Sequence, residues 1–129
     1  MNIEVKNSVK SIDYSKSMQL LEERVNDVRV GKKGELLWIL EHAPVYTAGT
    51  SSKSSDVLDK NIKIIKTNRG GKITYHGPGQ VICYFVLDLN KRKKDIRFLV
   101  DKIENCIIEI LKEYKIESYA DKKKYWNMG

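Results

Sequence analysis

Apolar and polar positions along the chain follow two different periods, and these divide it into a short series of elements. Between Asp13 and Val30, apolar residues recur at Tyr14, Met18, Leu21, Val25 and Val28. This four-then-three spacing lays them on one stripe of an amphipathic helix, with Asp13 as its N-cap and Gly31 as its stop. A second helix is predicted from Asp95 to about Tyr114. There Ile96, Leu99, Val100, Ile103, Cys106, Ile107, Ile110, Leu111 and Tyr114 keep a period of about 3.6 residues.

Strands are read where apolar residues run together or alternate. Ile3 to Val5 predicts a short opening strand, and the apolar run Leu36-Leu37-Trp38-Ile39-Leu40 a buried one. Residues 41–49 are expected to lead as a connection into a serine-rich loop, Ser51 to Ser55. Ile62 to Ile65 is a further strand, and Val81 to Leu89, rich in β-branched and aromatic residues, is the strongest. Ile73 to Tyr75 is expected to pair with that last strand as a hairpin turned at Gly77-Pro78-Gly79. The order strand, helix, strand, strand, hairpin, helix predicts an α/β (α+β) fold in which a mixed β-sheet is packed with helices. With 129 residues, no internal repeat and no linker, residues 1–129 are read as one domain.

Composition narrows the class. A hydrophobic content of 41% with 32% charged residues is that of a soluble globular protein. No apolar run reaches the ~20 residues that span a bilayer, and the N-terminus lacks a signal peptide's basic and apolar regions, so a cytoplasmic protein without a membrane role is expected. Cys83 and Cys106 lie among apolar neighbours without metal-type spacing and are expected to be buried free thiols. The net charge of +7 comes mostly from lysine, with clusters at 91–94 and 122–124. It suits either a solvated lysine-rich surface or an acidic partner, whether nucleic acid, a phosphopantetheine-bearing carrier protein or another acidic domain.

The densest chemistry lies in residues 69–80, Arg-Gly-Gly-Lys-Ile-Thr-Tyr-His-Gly-Pro-Gly-Gln, which hold four of the eight glycines and one of the two prolines. A segment that only had to turn the chain would need fewer specialised residues, so this block is read as a binding site. It is not a Walker loop, because Lys66 stands where the first glycine belongs and Ile73 where the Ser/Thr belongs. It is not a dinucleotide fingerprint either, since no helix follows Gly79. Two histidines, His42 and His76, with two cysteines in apolar settings argue against a metal site. Cys83 lies mid-strand, where a thiolate would be poorly stabilised, so a Cys83–His76 dyad is not assigned. The residues alone describe a backbone pocket around Arg69, Lys72, Thr74, Tyr75 and His76, with amides able to grip a carbonyl or phosphate oxygen.

Arg69-Gly70-Gly71-Lys72-Ile73-Thr74-Tyr75-His76-Gly77-Pro78-Gly79-Gln80, followed by Tyr84 and Leu87-Asp88-Leu89, closely resembles the signature of the octanoyltransferases of lipoate biosynthesis. Leu40-Glu41-His42-Ala43-Pro44-Val45-Tyr46-Thr47-Ala48-Gly49 resembles the same family's upstream segment, and the likeness covers about residues 12–120. The resemblance implies the fold of the biotin/lipoate protein ligases, class II synthetase-like. It also implies transfer of an octanoyl group from octanoyl-acyl carrier protein to a lysine of a lipoyl domain. Such domains belong to 2-oxoacid dehydrogenase E2 subunits and the glycine cleavage H protein. It assigns Arg69, Gly70, Gly71, Lys72, Ile73, Thr74, Tyr75 and His76 to the substrate-binding wall, with no cofactor.

Members of that family carry a cysteine that forms an acyl thioester and a lysine that promotes its thiolate. Both lie downstream of a Gly-Ile-Trp or Gly-Val-Trp strand expected near residue 125. Here the sequence reads Lys122-Lys123-Lys124-Tyr125-Trp126-Asn127-Met128-Gly129, so no catalytic residue is assigned. The expectation is a fold incomplete at the C-terminus, truncated before its catalytic lysine and cysteine by a frameshift, natural or from sequencing, in an adenine-rich lysine tract. The alternatives are a non-catalytic remnant that binds acyl groups or carrier protein, and a basic nucleic-acid-binding domain.

Overall fold

The computed structural model describes residues 2–57, 62–92 and 94–121. The expected strand near residue 125 and the lysine run 122–124 lie outside them. The chain forms two compact units, residues 1–88 and 89–129.

In the first unit, β1 (Glu4–Asn7), β2 (Leu36–Leu40) and β6 (Ile82–Val86) make one three-stranded sheet, with β2 in the centre. β1 runs parallel to β2, and β6 runs antiparallel to it, Trp38 standing opposite Tyr84. A second sheet takes β4 (Ile64–Lys66), β3 (Val45–Ala48) and β5 (Ile73–His76) in that order. The α/β content and the mixed strand directions are those expected, but the strands form two sheets.

Helix α1 (Tyr14–Arg29) covers one face of the first sheet. Asp13 caps it, its carboxylate accepting the Lys16 amide at 3.0 Å, so the cap read from the sequence is the one used. Leu36, Trp38, Leu40 and Val86 form the buried core, and Ile12, Leu21, Val28, Ile82 and Tyr84 pack on it. Trp38 is 1% exposed, and burying a side chain of this kind stabilises the fold by about 2–3 kcal/mol. Its indole N–H donates to Ser8 Oγ at 3.0 Å. Arg24 ties the helix to β1 and to the chain entering β2. It donates to the Gly34 carbonyl at 2.8 Å and pairs with Glu4 at 2.8 Å.

Four local expectations are corrected. Residues 45–48 form a strand, where a connection was expected, because β3 gains partners on both edges. β5 and β6 do not form a hairpin. β5 pairs with β3, where Tyr46 and Tyr75 stand opposite each other with ring centroids 5.0 Å apart, and apolar β6 pairs with β2 beneath α1. The turn between them therefore carries the chain from one sheet to the other. Its Gly79 amide donates to the Glu41 carboxylate.

The third correction is that Cys83 is exposed. Side chains alternate across a strand, and Ile82, Tyr84 and Val86 take the face toward α1, which leaves Cys83 and Phe85 on the other. Fourth, Cys106 is exposed as well. It lies on α2 (Ile96–Glu113) of the second unit, where no residue is fully buried and Ile107 and Ile110 beside it are about half exposed. The position of α2 agrees with its apolar period, and Asp95 caps it through the Phe98 amide at 3.1 Å. Among the described residues, no helix is long and apolar enough to cross a membrane.

Candidate functional site

The first residues of α1 and the chain leaving β2 are stitched together. Ile12 and His42 form a parallel bridge, with the Ile12 amide donating to Glu41 O at 2.8 Å and the Ala43 amide to Ile12 O at 3.1 Å. This places His42, 0% exposed, under the start of the helix. Its Nδ1 lies 3.1 Å from the Ile12 carbonyl and its Nε2 2.7 Å from the Tyr84 hydroxyl. A carbonyl can only accept, so the neutral ring carries its proton on Nδ1 and Nε2 accepts from Tyr84. Burial holds the His42 pKa below the usual histidine range, with the neighbouring His76 acting the same way. The Ile12 hydrogen bond and Asp13 oppose them. Burial, helped by Tyr14, pushes the Tyr84 phenol up to about 12, so its hydroxyl keeps the proton it donates.

Tyr14 and His76 complete this group. Their rings stack at 6.3 Å with planes 5° apart, and Tyr14 meets His42 edge-on at 5.2 Å. Burial raises the Tyr14 pKa, against the nearby Arg69 charge. The Tyr14, His76 and Tyr84 rings line a cleft of about 820 Å³ that runs between α1 and the 65–69 stretch. Met18, Ile65 and Ile82 add apolar wall, while Arg69, Gln19, Glu22, Lys66, Thr67 and Asn68 add polar groups. Its size lies in the range of small-molecule sites.

Arg69 has a second duty. Its Nη2 donates to Thr47 Oγ1 at 2.8 Å, Thr74 Oγ1 at 2.9 Å, Lys72 O at 2.8 Å and Thr47 O at 3.0 Å, and its Nη1 to Gly70 O at 2.8 Å. Two N–H bonds on Nη2 serve four oxygens, so these contacts are shared. The guanidinium thus folds residues 69–72 back onto β3. The residues after β3 grip the same loop. Gly49 N donates to Lys72 O at 3.0 Å, Thr50 N to Arg69 O at 3.0 Å and Ser51 N to Gly71 O at 2.9 Å. A Cβ on Gly49 would collide with the carbonyls of Gly70 and Gly71. Gly71 turns the loop at φ +92°, a conformation that favours glycine.

Of the eight residues read as the binding wall, Arg69 and His76 line the cleft. Thr74 joins the Arg69–Thr47 network, Tyr75 lies on Tyr46, and Ile73 stands opposite Ala48. Gly70, Gly71 and Lys72 form the gripped loop. Sequence reasoning did not single out Tyr14, Ile65 or Ile82 as cleft residues, nor His42 and Thr47 as their supports. Tyr14 carried only the signal of a helix's apolar stripe, and the two buried polar residues stood in the family-like 40–49 segment with no role assigned. Among the described residues, no three histidine, cysteine or acidic side chains gather in a way that would hold a metal ion.

Residues 13–125 match the lipoyl protein ligase A/B catalytic domain. The chain belongs to that family. Its fold is therefore that of the biotin/lipoate ligases, as the resemblance implied. The octanoyltransferase of Ehrlichia chaffeensis is 46% identical over 110 residues, which cover 84% of this chain and 51% of that protein. The octanoyltransferase of Paracoccus denitrificans is 43% identical over 104 residues, covering 81% and 48%, respectively. For that of Novosphingobium aromaticivorans the identity is 39% over 117 residues, covering 91% and 53%. The chain thus spans about half the length of the curated relatives it matches. In this lipoyl ligase-type chain the 69–80 block and the 40–49 segment, far apart in sequence, form one structure through Arg69, Thr47 and Gly49.

Proposed function

We propose that the cleft binds the acyl group of an octanoyl thioester, and that residues 1–129 belong to the N-terminal part of an octanoyltransferase catalytic domain. The reaction is transfer of octanoyl from octanoyl-acyl carrier protein to the amine of a lipoyl-domain lysine, in 2-oxoacid dehydrogenase E2 subunits or the glycine cleavage H protein. One observation carries this reading: a cleft whose apolar lining is Tyr14, Met18, Ile65, Ile82 and Tyr84 is also lined by Arg69 and His76 of the glycine-rich block. Met18, Ile65 and Ile82 suit a hydrocarbon chain. Arg69 suits the polar end of the acyl group by its charge.

In this reading Gly70, Gly71, Lys72, Ile73, Thr74 and Tyr75 shape the wall, and most of their contribution is to hold Arg69 and His76 in place. No described residue is assigned the nucleophile's role. Cys83 lies on the face of β6 opposite the cleft residues Ile82 and Tyr84, so its thiol is on the wrong side of the strand.

The test is titration of the chain with octanoate and with octanoyl-acyl carrier protein, followed by calorimetry. Saturable binding is expected for both, and Met18→Trp, which fills the cleft from α1, is expected to abolish it. Absence of binding in the native sequence, or binding indifferent to Met18→Trp, would overturn the proposal.

A further inference from the structure

Tyr14 and Ile65 each line two cavities. On one side is the cleft of about 820 Å³, and on the other a smaller chamber of about 320 Å³. The chamber is walled by Ala43, Pro44, Val45, Tyr46 and Ile62, with Asp13 and Lys63 as its polar members. Among the described residues, Tyr14 and Ile65 alone line both spaces, so they form the partition.

The two halves of this partition differ in how firmly they are held. Tyr14 is buried, stacked on His76 and set edge-on against His42, so its ring is a fixed wall. Ile65 is half-buried on β4, which among the described residues pairs with β3 alone. Asp13 already caps α1. What the chamber offers a visitor is therefore mainly apolar surface, with the Lys63 and Asp13 charges cancelling formally.

We propose that Tyr14 and Ile65 set the length of the acyl chain the cleft accepts. The methyl end of a straight-chain fatty acyl group abuts these two side chains, and the chamber behind them stays out of reach. This rests on the acyl-binding reading of the cleft. The physical argument is that each methylene moved from water into apolar surroundings tightens binding about fourfold. A closed partition ends that gain at a definite carbon number. Opening it lets the gain continue into the chamber.

The experiment compares straight-chain carboxylates from hexanoate to hexadecanoate, displacing a fluorescent fatty acid from the 129-residue chain and from Ile65→Ala, Ile65→Phe and Tyr14→Ala. In the native sequence affinity rises with length and then levels. In Ile65→Ala the levelling point moves to longer chains, with about a fourfold gain for each added carbon up to the new limit. In Ile65→Phe it stays in place or moves to shorter ones. Tyr14→Ala removes a core ring, so the Ile65 pair decides the matter if that variant fails to fold. An identical levelling point in the native chain and a folded Ile65→Ala would overturn the partition while leaving the acyl site standing. Absence of binding by every carboxylate in the native chain would overturn the acyl reading, and the partition with it.

Discussion

Arg69 reaches across from the glycine-rich loop to Thr47, its Nη2 lying 2.8 Å from the threonine hydroxyl and 3.0 Å from its carbonyl oxygen. Thr47 is 0% exposed, and its hydroxyl also lies 3.0 Å from that of Thr74 on the neighbouring strand. One guanidinium therefore locks β3, β5 and the 69–72 loop together, and the place of Arg69 in the cleft depends on that lock. A group that looks in sequence like an anion-binding cation spends much of its donor capacity on the protein's own oxygens.

Arg69→Lys should therefore act on structure as well as on binding. An ammonium is a point charge on a flexible stem and cannot reproduce the planar fork. Loss of about 2 kcal/mol is expected, the scale of a charge-assisted hydrogen bond to buried oxygens. Urea denaturation measures it. An unchanged midpoint would contradict the lock.

Gly49→Ala places a methyl group against the carbonyls of Gly70 and Gly71. These two obstacles are backbone, and the third is the Arg69 guanidinium, so the clash is relieved only by moving the loop. The expected cost is about 2–3 kcal/mol. Hydrogen exchange at the Thr50 and Ser51 amides, which donate to Arg69 and Gly71, should accelerate in the variant. Unaltered protection would show that the loop does not depend on this close approach.

His42 makes stability fall on acidification. Its folded pKa is below the ordinary value, first because it is buried and then because His76 lies beside it. The unfolded chain takes up a proton near pH ~6.5 that the folded chain refuses, so stability rises with pH across this window. The contribution is complete above ~6.5 and is lost as pH falls from there toward the depressed folded value. Asp13, Tyr14 and Tyr84 are the other ionisable groups around it. Thermal melts between neutral and mildly acidic pH should show the decline, and His42→Gln should flatten it. Equal slopes in the two proteins would assign the decline elsewhere.

Tyr84 works at the other end of the scale. Its folded pKa of about 12 exceeds the ordinary tyrosine value of ~10, so its contribution is full below ~10 and is lost as pH rises toward 12. Tyr84→Phe removes the donor to His42 Nε2 and leaves that buried nitrogen unsatisfied, at an expected cost of about 1–3 kcal/mol. Ultraviolet difference titration of the native protein against the variant should assign the missing phenol to the most alkaline step. A missing step near ~10, the ordinary value, would refute the burial argument.

Much of the candidate site was legible without coordinates, though not in its final roles. Glycine density and the mixture of cation, hydroxyls and imidazole drew attention to residues 69–80. Of that block, Arg69 and His76 alone reach the cleft. The apolar residues of the cleft, Tyr14, Met18, Ile65, Ile82 and Tyr84, come from a helix and two strands. All but Tyr84, which stood in the family signature, carried only the ordinary signature of an element with an apolar side. His42 and Thr47 stood in the 40–49 segment without an assigned role, because a buried polar residue shows its role only when its partners are known.

Local periodicity was enough to locate α1 from its Asp13 cap, α2 from its apolar stripe and β2 from its run of five apolar residues. These features depend on side chains three, four or two positions apart, which the chain itself brings together. Strand pairing is different in kind. Whether β5 joins β6 through a short turn or β3 across the Arg69–Thr47–Thr74 network depends on groups distant in sequence, and so does the face on which Cys83 emerges. The sequence by itself determined the elements other than β3 and marked the binding block. Tertiary structure alone decided the two sheets, the inward-turned Arg69 and the convergence of Tyr14, His42, His76 and Tyr84, because each is settled by contacts between residues that the chain's local pattern never compares.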